Sequence, residues 1–275
     1  MQAARIGSTV LHYSDTGAQG GAGGGTGGGT AGPALVFANS LGTDLRVWDP
    51  LLPHLPAGLR ILRYDKRGHG LSDCPPGPYA IDDLVGDLSG LLDHAGVSQA
   101  VVVGLSVGGM IAQGIAATRP DVIRGAVFCC TAHVIGTAEM WAQRIAGLEA
   151  GGIEGMADAV MERWFSPAFR SERGEELAAW RNMLTRTPLQ GYAATCAALR
   201  DADLTAQTAG LKMPVLCIAG SNDGSTPPEV VQGLADLVPG ARLAVLDGPG
   251  HIPCVEAPEA LGAEITAFLK ENGLV

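Results

Sequence analysis

The stretch VGLSVGG at residues 103–109 decides which fold the sequence predicts. It contains the pattern G-x-S-x-G, directly after the apolar run of residues 100–104 and directly before a helical run at residues 110–117. A serine at a sharp strand-to-helix turn needs small neighbours, because larger side chains would clash there. The turn exposes the hydroxyl, and the following helix offers its N-terminal N–H groups. We therefore predict that Ser106 is a nucleophile presented at such a turn.

The sequence around this turn predicts an α/β fold with a mostly parallel sheet, because short β-branched runs alternate with longer helical patterns. We expect helices on both faces of the sheet, since several of these runs are apolar throughout. From residue 135 to residue 211 only helical patterns remain, which predicts an inserted helical lid. The expected domains are a core of residues 1–134 and 212–275 and a lid of residues 135–211. The predicted strands cover residues 9–13, 34–38, 60–64, 100–104, 125–129, 215–219 and 242–246.

The composition excludes several classes of protein. With 47% hydrophobic residues among 275, the chain can bury enough apolar surface to fold. Its net charge of −10 repels nucleic acids and anionic membrane surfaces, so we expect neither as a partner. Apolar runs stay below the roughly 18 residues that span a bilayer. The first 20 residues show no signal-peptide pattern, so we expect a cytoplasmic protein.

Two further features of the composition concern cysteine and glycine. Six cysteines without a C-x-x-C pair predict reduced core thiols and no metal site.

A segment at residues 17–32 holds 10 of the 40 glycines. Residues 23–28 match the dinucleotide-binding pattern G-x-G-x-x-G, but a strand follows where that motif requires a helix. We expect a mobile hairpin loop between the first two predicted strands, which activity does not need.

A serine hydroxyl becomes nucleophilic only with a base, and the base needs a carboxylate to orient it. Folds with a serine at such a turn place these groups in the chain order serine, acid, histidine. Two histidines follow Ser106, and His133 comes before any candidate acid on a later strand. His251 lies in a glycine-proline loop just past the last predicted strand. We therefore predict that His251 is the base.

The orienting carboxylate is expected at the carboxyl end of the sheet. Asp223 lies on the loop that follows the predicted strand at residues 215–219, which satisfies this requirement. Asp247 is the rival, but it still lies at the end of its strand and only four residues before His251. We favour Asp223 as the acid.

An oxyanion hole requires two backbone N–H groups that face the negative charge developing on the substrate. One is predicted at Val107, directly after the serine. The other should come from the loop NSLGT at residues 39–43, which follows the predicted strand at residues 34–38. Leu41 has the most suitable position in this loop. The alternative for the loop is an ordinary polar turn.

These motifs together resemble the α/β-hydrolase fold family and, within that fold, the 3-oxoadipate enol-lactonases. The similarity extends over nearly the whole chain from residue 9, and the departures are the glycine-rich segment and His133. The motifs that carry it are YDKRGHG at residues 64–70, GLSVGG at 104–109 and GHIPCVEAP at 250–258 for the fold, and NSLGT at 39–43, Trp48, TAHVIG at 131–136 and WAQR at 141–144 for the lactonases.

The resemblance implies a serine hydrolase that opens the ring of 3-oxoadipate enol-lactone to give 3-oxoadipate through an acyl-enzyme on Ser106. It implies that no metal and no organic cofactor take part. The same triad serves carboxylesterases, haloperoxidase-like proteins and carbon–carbon bond hydrolases, which stay open as alternatives. A non-catalytic ligand receptor with this fold is the alternative from a different class. The oligomeric state is also open, and a homo-oligomer is one alternative.

A lactone of this kind carries a carboxylate, which an acidic protein must bind through local cations. Arg144 lies three residues after Trp141 and therefore on the same helix face. We expect Arg144 to bind the carboxylate and Trp141 to wall the pocket. Arg163, next to Trp164, is the weaker alternative for this role. The alternative to binding is a solvent-facing Arg144 beside a core tryptophan.

Overall fold

The computed structural model describes residues 1–17 and 32–275, and these residues form an eight-stranded sheet with helices packed against it. The glycine-rich segment for which we expect a mobile loop lies, at residues 18–31, outside the described residues. The order of the strands in the sheet is β1-β2-β4-β3-β5-β6-β7-β8. The strands are β1 (Gln2–Ile6), β2 (Thr9–Asp15), β3 (Ala34–Ala38), β4 (Ile61–Tyr64), β5 (Ala100–Leu105), β6 (Ile123–Cys129), β7 (Val215–Gly220) and β8 (Arg242–Leu246).

The sheet is mostly parallel, as predicted. Neighbouring strands from β4 to β8 run parallel, whereas β1 pairs antiparallel with β2 and β2 with β4. Strand β1 has no counterpart among the predicted strands, because its sequence QAARI has one β-branched residue and only Ala4 is buried. An exposed edge strand of this kind carries little of the hydrophobic pattern on which prediction depends.

The expected hairpin between β2 and β3 is wrong, since β4 lies between these two strands. The physical reason is burial. Every residue of β3 is buried, and a strand that is apolar on both faces takes a central position, here between the parallel strands β4 and β5. Strand β2 is only partly buried and lies near the edge, where it pairs antiparallel with β1 and β4.

Helices follow most of the parallel strands, and a block of helices separates β6 from β7. Helix α2 directly follows β5 and is buried along most of its length. Helices α3 to α8 all lie between β6 and β7, in the stretch where we expect the lid. The α-helices of the described residues are α1 (Ile81–His94), α2 (Val107–Thr118), α3 (Ala138–Gly151), α4 (Ala157–Trp164), α5 (Pro167–Glu172), α6 (Gly174–Thr185), α7 (Leu189–Asp201), α8 (Thr205–Ala209), α9 (Pro228–Leu237), α10 (Pro253–Glu256) and α11 (Pro258–Glu271).

The parallel strands position the predicted site residues. Strands β3, β5, β7 and β8 run in one direction, so their carboxyl ends lie at the same edge of the sheet. Ligand sites of open α/β sheets form at this edge. The segments that directly follow these four strands carry Leu41, Ser106, Asp223 and His251, in that order.

Five of the six cysteines are buried, but Cys74 is exposed. The expectation of core thiols is therefore wrong for Cys74, which lies in the irregular connection between β4 and α1 and has no strand or helix to bury it.

In the described part of the chain, no helix combines the length and apolar character that crossing a membrane requires.

Candidate active site

Ser106 forms a strained turn between β5 and α2, with φ of 58° and ψ of −121°. A non-glycine residue with positive φ is unfavourable and persists only where its surroundings hold it. The Ser106 N–H donates to the Cys129 carbonyl at 3.0 Å. The Ser106 carbonyl accepts from the Gly109 N–H at 2.8 Å and from Thr131 Oγ1 at 2.7 Å. The strand-to-helix turn predicted at Ser106 is therefore present and is held by hydrogen bonds on both sides.

The glycines on either side of Ser106 are required by close backbone contacts. A Cβ atom at Gly104 would collide with the backbone of Gly108. One at Gly108 would collide with the carbonyl of Ala38, the last residue of β3. Only glycine at positions 104 and 108 allows the N-terminus of α2 to approach the sheet this closely. The packing of the turn therefore requires the two glycines of the G-x-S-x-G pattern.

His251 and Asp223 form a buried pair, in which His251 Nδ1 lies 2.8 Å from Asp223 Oδ2. The same carboxylate accepts from the Ser225 N–H at 2.7 Å and from the N–H and hydroxyl of Thr226 at 3.0 Å and 2.8 Å. Burial raises the pKa of Asp223, but the interaction with His251 and the hydrogen bonds outweigh burial, so this pKa lies below its ordinary value. Asp223 is therefore ionised and holds the imidazole through Nδ1.

The other two candidates for acid and base do not contact this pair. The rival acid Asp247 is exposed, and it accepts a hydrogen bond from the Ser221 hydroxyl at 3.4 Å. His133 precedes α3, where its backbone carbonyl accepts from the Leu204 N–H at 3.0 Å. The arrangement at the sheet edge thus favours Asp223 and His251 as an acid–base pair.

The loop that carries His251 is fixed to the helical insertion through its backbone. The His251 N–H donates to the carbonyl of Trp164, the last residue of α4, at 2.8 Å. The Gly250 N–H donates to the Glu256 carboxylate at 2.8 Å, and the Ser166 N–H donates to the same carboxylate at 3.1 Å. Glu256 thus joins the histidine loop to the segment after α4, which holds the imidazole in place.

A cavity of about 280 Å³ brings five of the seven predicted site residues together. Ser106 and His251 line it from the core, Leu41 from the loop after β3, and Trp141 and Arg144 from α3. A larger cavity of about 760 Å³ lies between the loop after β3, the turn after β4 and α6, and none of these five residues lines it. The smaller cavity is therefore the candidate active site, because it holds the reactive groups.

The predicted oxyanion donors lie beside Ser106. Leu41 is buried and lines the cavity, and Val107 is the first residue of α2, where an N–H has no acceptor within its own helix. Across residues 1–17 and 32–275, neither N–H donates a hydrogen bond, and the Ser106 hydroxyl makes none to His251. Catalytic hydrogen bonds of this kind commonly tighten only in the substrate complex.

Two arginines face the cavity. Arg144 Nη1 donates to the Tyr192 hydroxyl at 3.3 Å, and the Arg144 guanidinium lies 5.5 Å from the ring centre of Trp141. Arg163 lines the same cavity, and burial together with the charge of Arg144 lowers the pKa of Arg163. Among the described residues, neither arginine has a carboxylate partner. The structure thus places both arginines, the favoured one and the weaker alternative, where an anion could bind.

Two residues of this site, Tyr192 and Thr226, are not among the predicted site residues. Tyr192, on α7, lines the cavity and contacts Arg144 across nearly fifty residues of sequence, so only the tertiary structure reveals it. Thr226 donates to Asp223 three residues before it. An aspartate that accepts from the backbone two or three residues ahead is a common local turn, so the Asp-x-x-Thr spacing could have identified Thr226.

One set of side chains near the site has the residue types of a metal site. The Cys130 thiol and the Asp223 and His251 side chains are buried, with ligand atoms within 4.8 Å of one another. Burial raises the pKa of Cys130 well above its ordinary value, and a metal requires the thiolate. The hydrogen bond between His251 and Asp223 also occupies both of these side chains. These contacts favour an acid–base pair at this position.

The chain belongs to the α/β-hydrolase fold family, since the family model described as alpha/beta hydrolase fold matches residues 33–258. It is similar to two curated lactonases of Acinetobacter baylyi. 3-Oxoadipate enol-lactonase 2 is 36% identical over 238 residues, which cover 86% of this chain and 89% of that protein. 3-Oxoadipate enol-lactonase 1 is 31% identical with the same coverage of both chains.

A solved structure shows the same similarity. The enol-lactonase from Burkholderia xenovorans LB400 matches 98% of this chain and 100% of its own, with a TM-score of 0.91 and 37% identity. These similarities confirm the predicted fold, the resemblance to the 3-oxoadipate enol-lactonases and the expectation that the protein is a hydrolase.

Proposed function

We propose that this protein opens the lactone ring of 3-oxoadipate enol-lactone, with Ser106 as nucleophile, His251 as general base and Asp223 as the orienting acid. The observation that carries the proposal is a single cavity lined by Ser106, His251 and two arginines that, among the described residues, have no carboxylate partner. The enol-lactonase names of two relatives and of one similar structure support a lactone as the ester.

In the first half of the reaction, His251 Nε2 accepts the proton of the Ser106 hydroxyl as the Ser106 oxygen attacks the lactone carbonyl carbon. The Leu41 and Val107 N–H groups donate to the oxygen that becomes negative. Collapse of this intermediate breaks the ring C–O bond and leaves the acyl group on Ser106. The leaving oxygen departs as an enolate, takes the proton from His251, and its enol becomes the ketone. Because the ketone does not close the ring again readily, the step is effectively one-way.

In the second half, His251 accepts a proton from a water molecule, whose oxygen attacks the acyl carbon. The bond to Ser106 breaks, Ser106 recovers its proton from His251, and the acyl group leaves as a carboxylic acid, which ionises and releases a proton to the solvent. Asp223 stays ionised throughout and stabilises the imidazolium through Nδ1, since its pKa lies below the ordinary value. Over both halves, one water is consumed and one proton is released for each ring opened.

The substrate carboxylate would bind to the arginines. Arg144 is held by the Tyr192 hydroxyl and the Trp141 ring, which limits its rotamers and leaves other guanidinium donors free for an anion. The burial of Arg163 and its closeness to Arg144 make a positive region that a carboxylate would stabilise. We propose that Arg144 and Arg163 together set the orientation of the ring over Ser106, with Trp141 as a wall.

We also propose that residues 135–211 act as a lid over the core of residues 1–134 and 212–275. Helices α3, α4 and α7 supply Trp141, Arg144, Arg163 and Tyr192 to the cavity, whereas the core supplies Ser106 and His251. In this division the core carries the reaction and the lid selects the substrate, so the lid decides between a lactonase and a general esterase.

Product analysis tests the proposed function. The purified protein is incubated with the enol-lactone, its loss is followed by ultraviolet absorbance, and the product is identified by NMR. The same protein is assayed with p-nitrophenyl acetate, a neutral ester. We expect 3-oxoadipate as the product and a higher kcat/KM for the lactone. A protein that hydrolyses the neutral ester far faster than the lactone would instead be a carboxylesterase.

A further inference from the structure

Lys66 is buried directly behind the loop of residues 39–43, and only 1% of its surface is exposed. Its Nζ donates to the Ser40 carbonyl at 2.5 Å and to the Thr43 carbonyl at 3.3 Å. A buried ammonium is costly unless strong partners compensate for its lost hydration. The partners here are two backbone carbonyls of the loop that carries Leu41.

The neighbouring carboxylate of Asp65 does not bind Lys66 but holds other parts of the backbone. Asp65 accepts from the Leu45 N–H and the Leu71 N–H, each at 2.8 Å, and lies 2.8 Å from His12 Nδ1. In the part of the chain that the structure describes, Lys66 has no salt bridge. The hydrogen bonds of its ammonium are therefore directed at the loop.

The Ser40 carbonyl and the Leu41 N–H belong to the same peptide group. Because a trans peptide is planar, its C=O and N–H point in opposite directions. With Lys66 on the carbonyl side, the Leu41 N–H points away from Lys66, and Leu41 itself lines the cavity together with Ser106. A cation at the carbonyl oxygen also polarises the peptide group and makes its N–H a stronger donor.

The side chain of His69 binds the next amide group in the loop of residues 39–43. His69 Nε2 accepts from the Gly42 N–H at 3.0 Å. Burial, and then the charge of Lys66, lower the pKa of His69 well below its ordinary value, so the ring is neutral and Nε2 can accept. The turn after β4 thus binds the Ser40 carbonyl and the Gly42 N–H, which belong to the two peptide groups on either side of the Leu41 Cα.

We propose that Lys66 is a positioning residue for the oxyanion hole: its ammonium orients and polarises the Ser40–Leu41 peptide so that the Leu41 N–H stabilises the negative charge of the tetrahedral intermediate. This rests on the proposed serine mechanism, but it does not depend on which ester is the substrate. Lys66 touches no reacting atom and acts through the peptide.

The test compares Lys66→Met and Lys66→Gln with the wild type on p-nitrophenyl acetate at about pH 6, where the Lys66 ammonium keeps its proton. Phenylboronic acid, which adds to a reactive serine to form a tetrahedral anion, serves as the transition-state probe. In Lys66→Met we expect kcat to fall about 10- to 100-fold, less than or similar to the loss of one direct oxyanion donor. The affinity for phenylboronic acid should fall by a similar factor, while KM changes by less than about 3-fold. Lys66→Gln should lie between, because an amide donor without charge replaces the ammonium.

Arg67→Met is the matched control. Arg67 is the next residue in the chain and is likewise held by a buried partner, but it donates to Asp87 on α1 at 2.6 Å and 2.7 Å and not to the loop. Its kcat should stay within about 3-fold of wild type even if its melting temperature falls as far as that of Lys66→Met.

Several results would overturn the inference about Lys66. One is an unchanged affinity for phenylboronic acid in Lys66→Met, and another is an equal fall in kcat in Arg67→Met at equal loss of stability. If Lys66→Met does not fold, Lys66→Gln gives the same comparison. If the wild type hydrolyses p-nitrophenyl acetate but not the enol-lactone, the proposed substrate is wrong while the result on Lys66 stands.

Discussion

The carboxylate of Asp223 lies 2.8 Å from Nδ1 of His251, at the end of the sheet where both side chains are buried. The Thr226 N–H donates to Oδ1 of that carboxylate, and the Thr226 hydroxyl donates to Oδ2, the oxygen that contacts His251. An ionised acid in this position fixes the tautomer of the imidazole and stabilises its protonated form.

Asp223→Asn should lower kcat by about 10³- to 10⁴-fold, because the amide keeps the shape of the side chain but loses the charge and favours the wrong tautomer of His251. Asp247→Asn is the control, since Asp247 is exposed and bonded to Ser221. It should keep kcat within about 2-fold. Steady-state kinetics of both variants on the enol-lactone measure this. A larger loss in Asp247→Asn than in Asp223→Asn would reverse the assignment of the acid.

Arg144→Ala should weaken turnover of the charged lactone far more than that of a neutral ester. A hydrogen bond to a charged group contributes about 1.5–3 kcal/mol, so kcat/KM for the lactone should fall about 10- to 150-fold. Hydrolysis of p-nitrophenyl acetate should change by less than about 3-fold. Arg200→Ala is the control, because Arg200 pairs with Asp201 near the surface, and it should leave both substrates unaffected. Equal losses of Arg144→Ala on both substrates would remove Arg144 from carboxylate binding.

The stability of the protein should depend on pH through Lys66. Burial lowers the pKa of Lys66 to about 7, although the negative charges of Asp65 and Asp44 act to raise this pKa. In the unfolded chain the pKa of this lysine stays near 10.5. Between these values the unfolded chain binds a proton that the folded protein has released, so the contribution of Lys66 to the free energy of unfolding rises with pH. Urea unfolding from about pH 6.5 to pH 9.5 should show wild type gaining stability relative to Lys66→Met. A difference that stays constant over this range would contradict the burial of a titrating lysine.

The protonation state of Lys66 should also affect kcat. Above about pH 7 the ammonium of Lys66 becomes a neutral amine, which polarises the Ser40 carbonyl less. The ratio of kcat between wild type and Lys66→Met should therefore fall as pH rises, with Asp65, Asp44 and the neutral His69 as the groups that face Lys66. Paired pH profiles of the two proteins measure the ratio. A ratio that grows with pH would show that the charge of Lys66 does not assist the reaction.

The glycine-rich segment should be dispensable for activity. Replacing residues 18–31 by half that number of glycine and serine residues should leave kcat/KM within about 3-fold, because loop closure depends weakly on length. The enol-lactone assay at matched protein concentration measures this. If turnover falls more than about 10-fold while the melting temperature is unchanged, the segment takes part in the reaction.

The features that could be predicted from sequence are those with local causes. The turn at Ser106 is specified by glycines whose absent side chains allow Gly104 and Gly108 to approach other backbone, and the pattern is readable within seven residues. The positions of Asp223 and His251 followed from the end of a strand and from chain order. The central position of β3 could be predicted from its continuous apolar sequence ALVFA, but its neighbours could not, because strand order is a long-range property.

The features that could not be predicted arise from contacts between distant parts of the chain. Tyr192 meets Arg144, and Lys66 meets Ser40, only once the helices and the turn after β4 have packed. A lysine inside a common turn motif also looks like a surface residue, because lysines are rarely buried. The sequence alone therefore gives no sign that Lys66 is buried.

The most direct test of the central claim is the comparison of wild type with Ser106→Ala on the enol-lactone. Both proteins are assayed under identical conditions, and each reaction is stopped in acid so that the intact protein can be weighed by mass spectrometry. We predict that Ser106→Ala loses at least about 1,000-fold in kcat and that a lactone-sized adduct is found only on wild type. Equal rates in the two proteins, or an adduct that forms on Ser106→Ala as readily as on wild type, would contradict the role of Ser106 as the nucleophile.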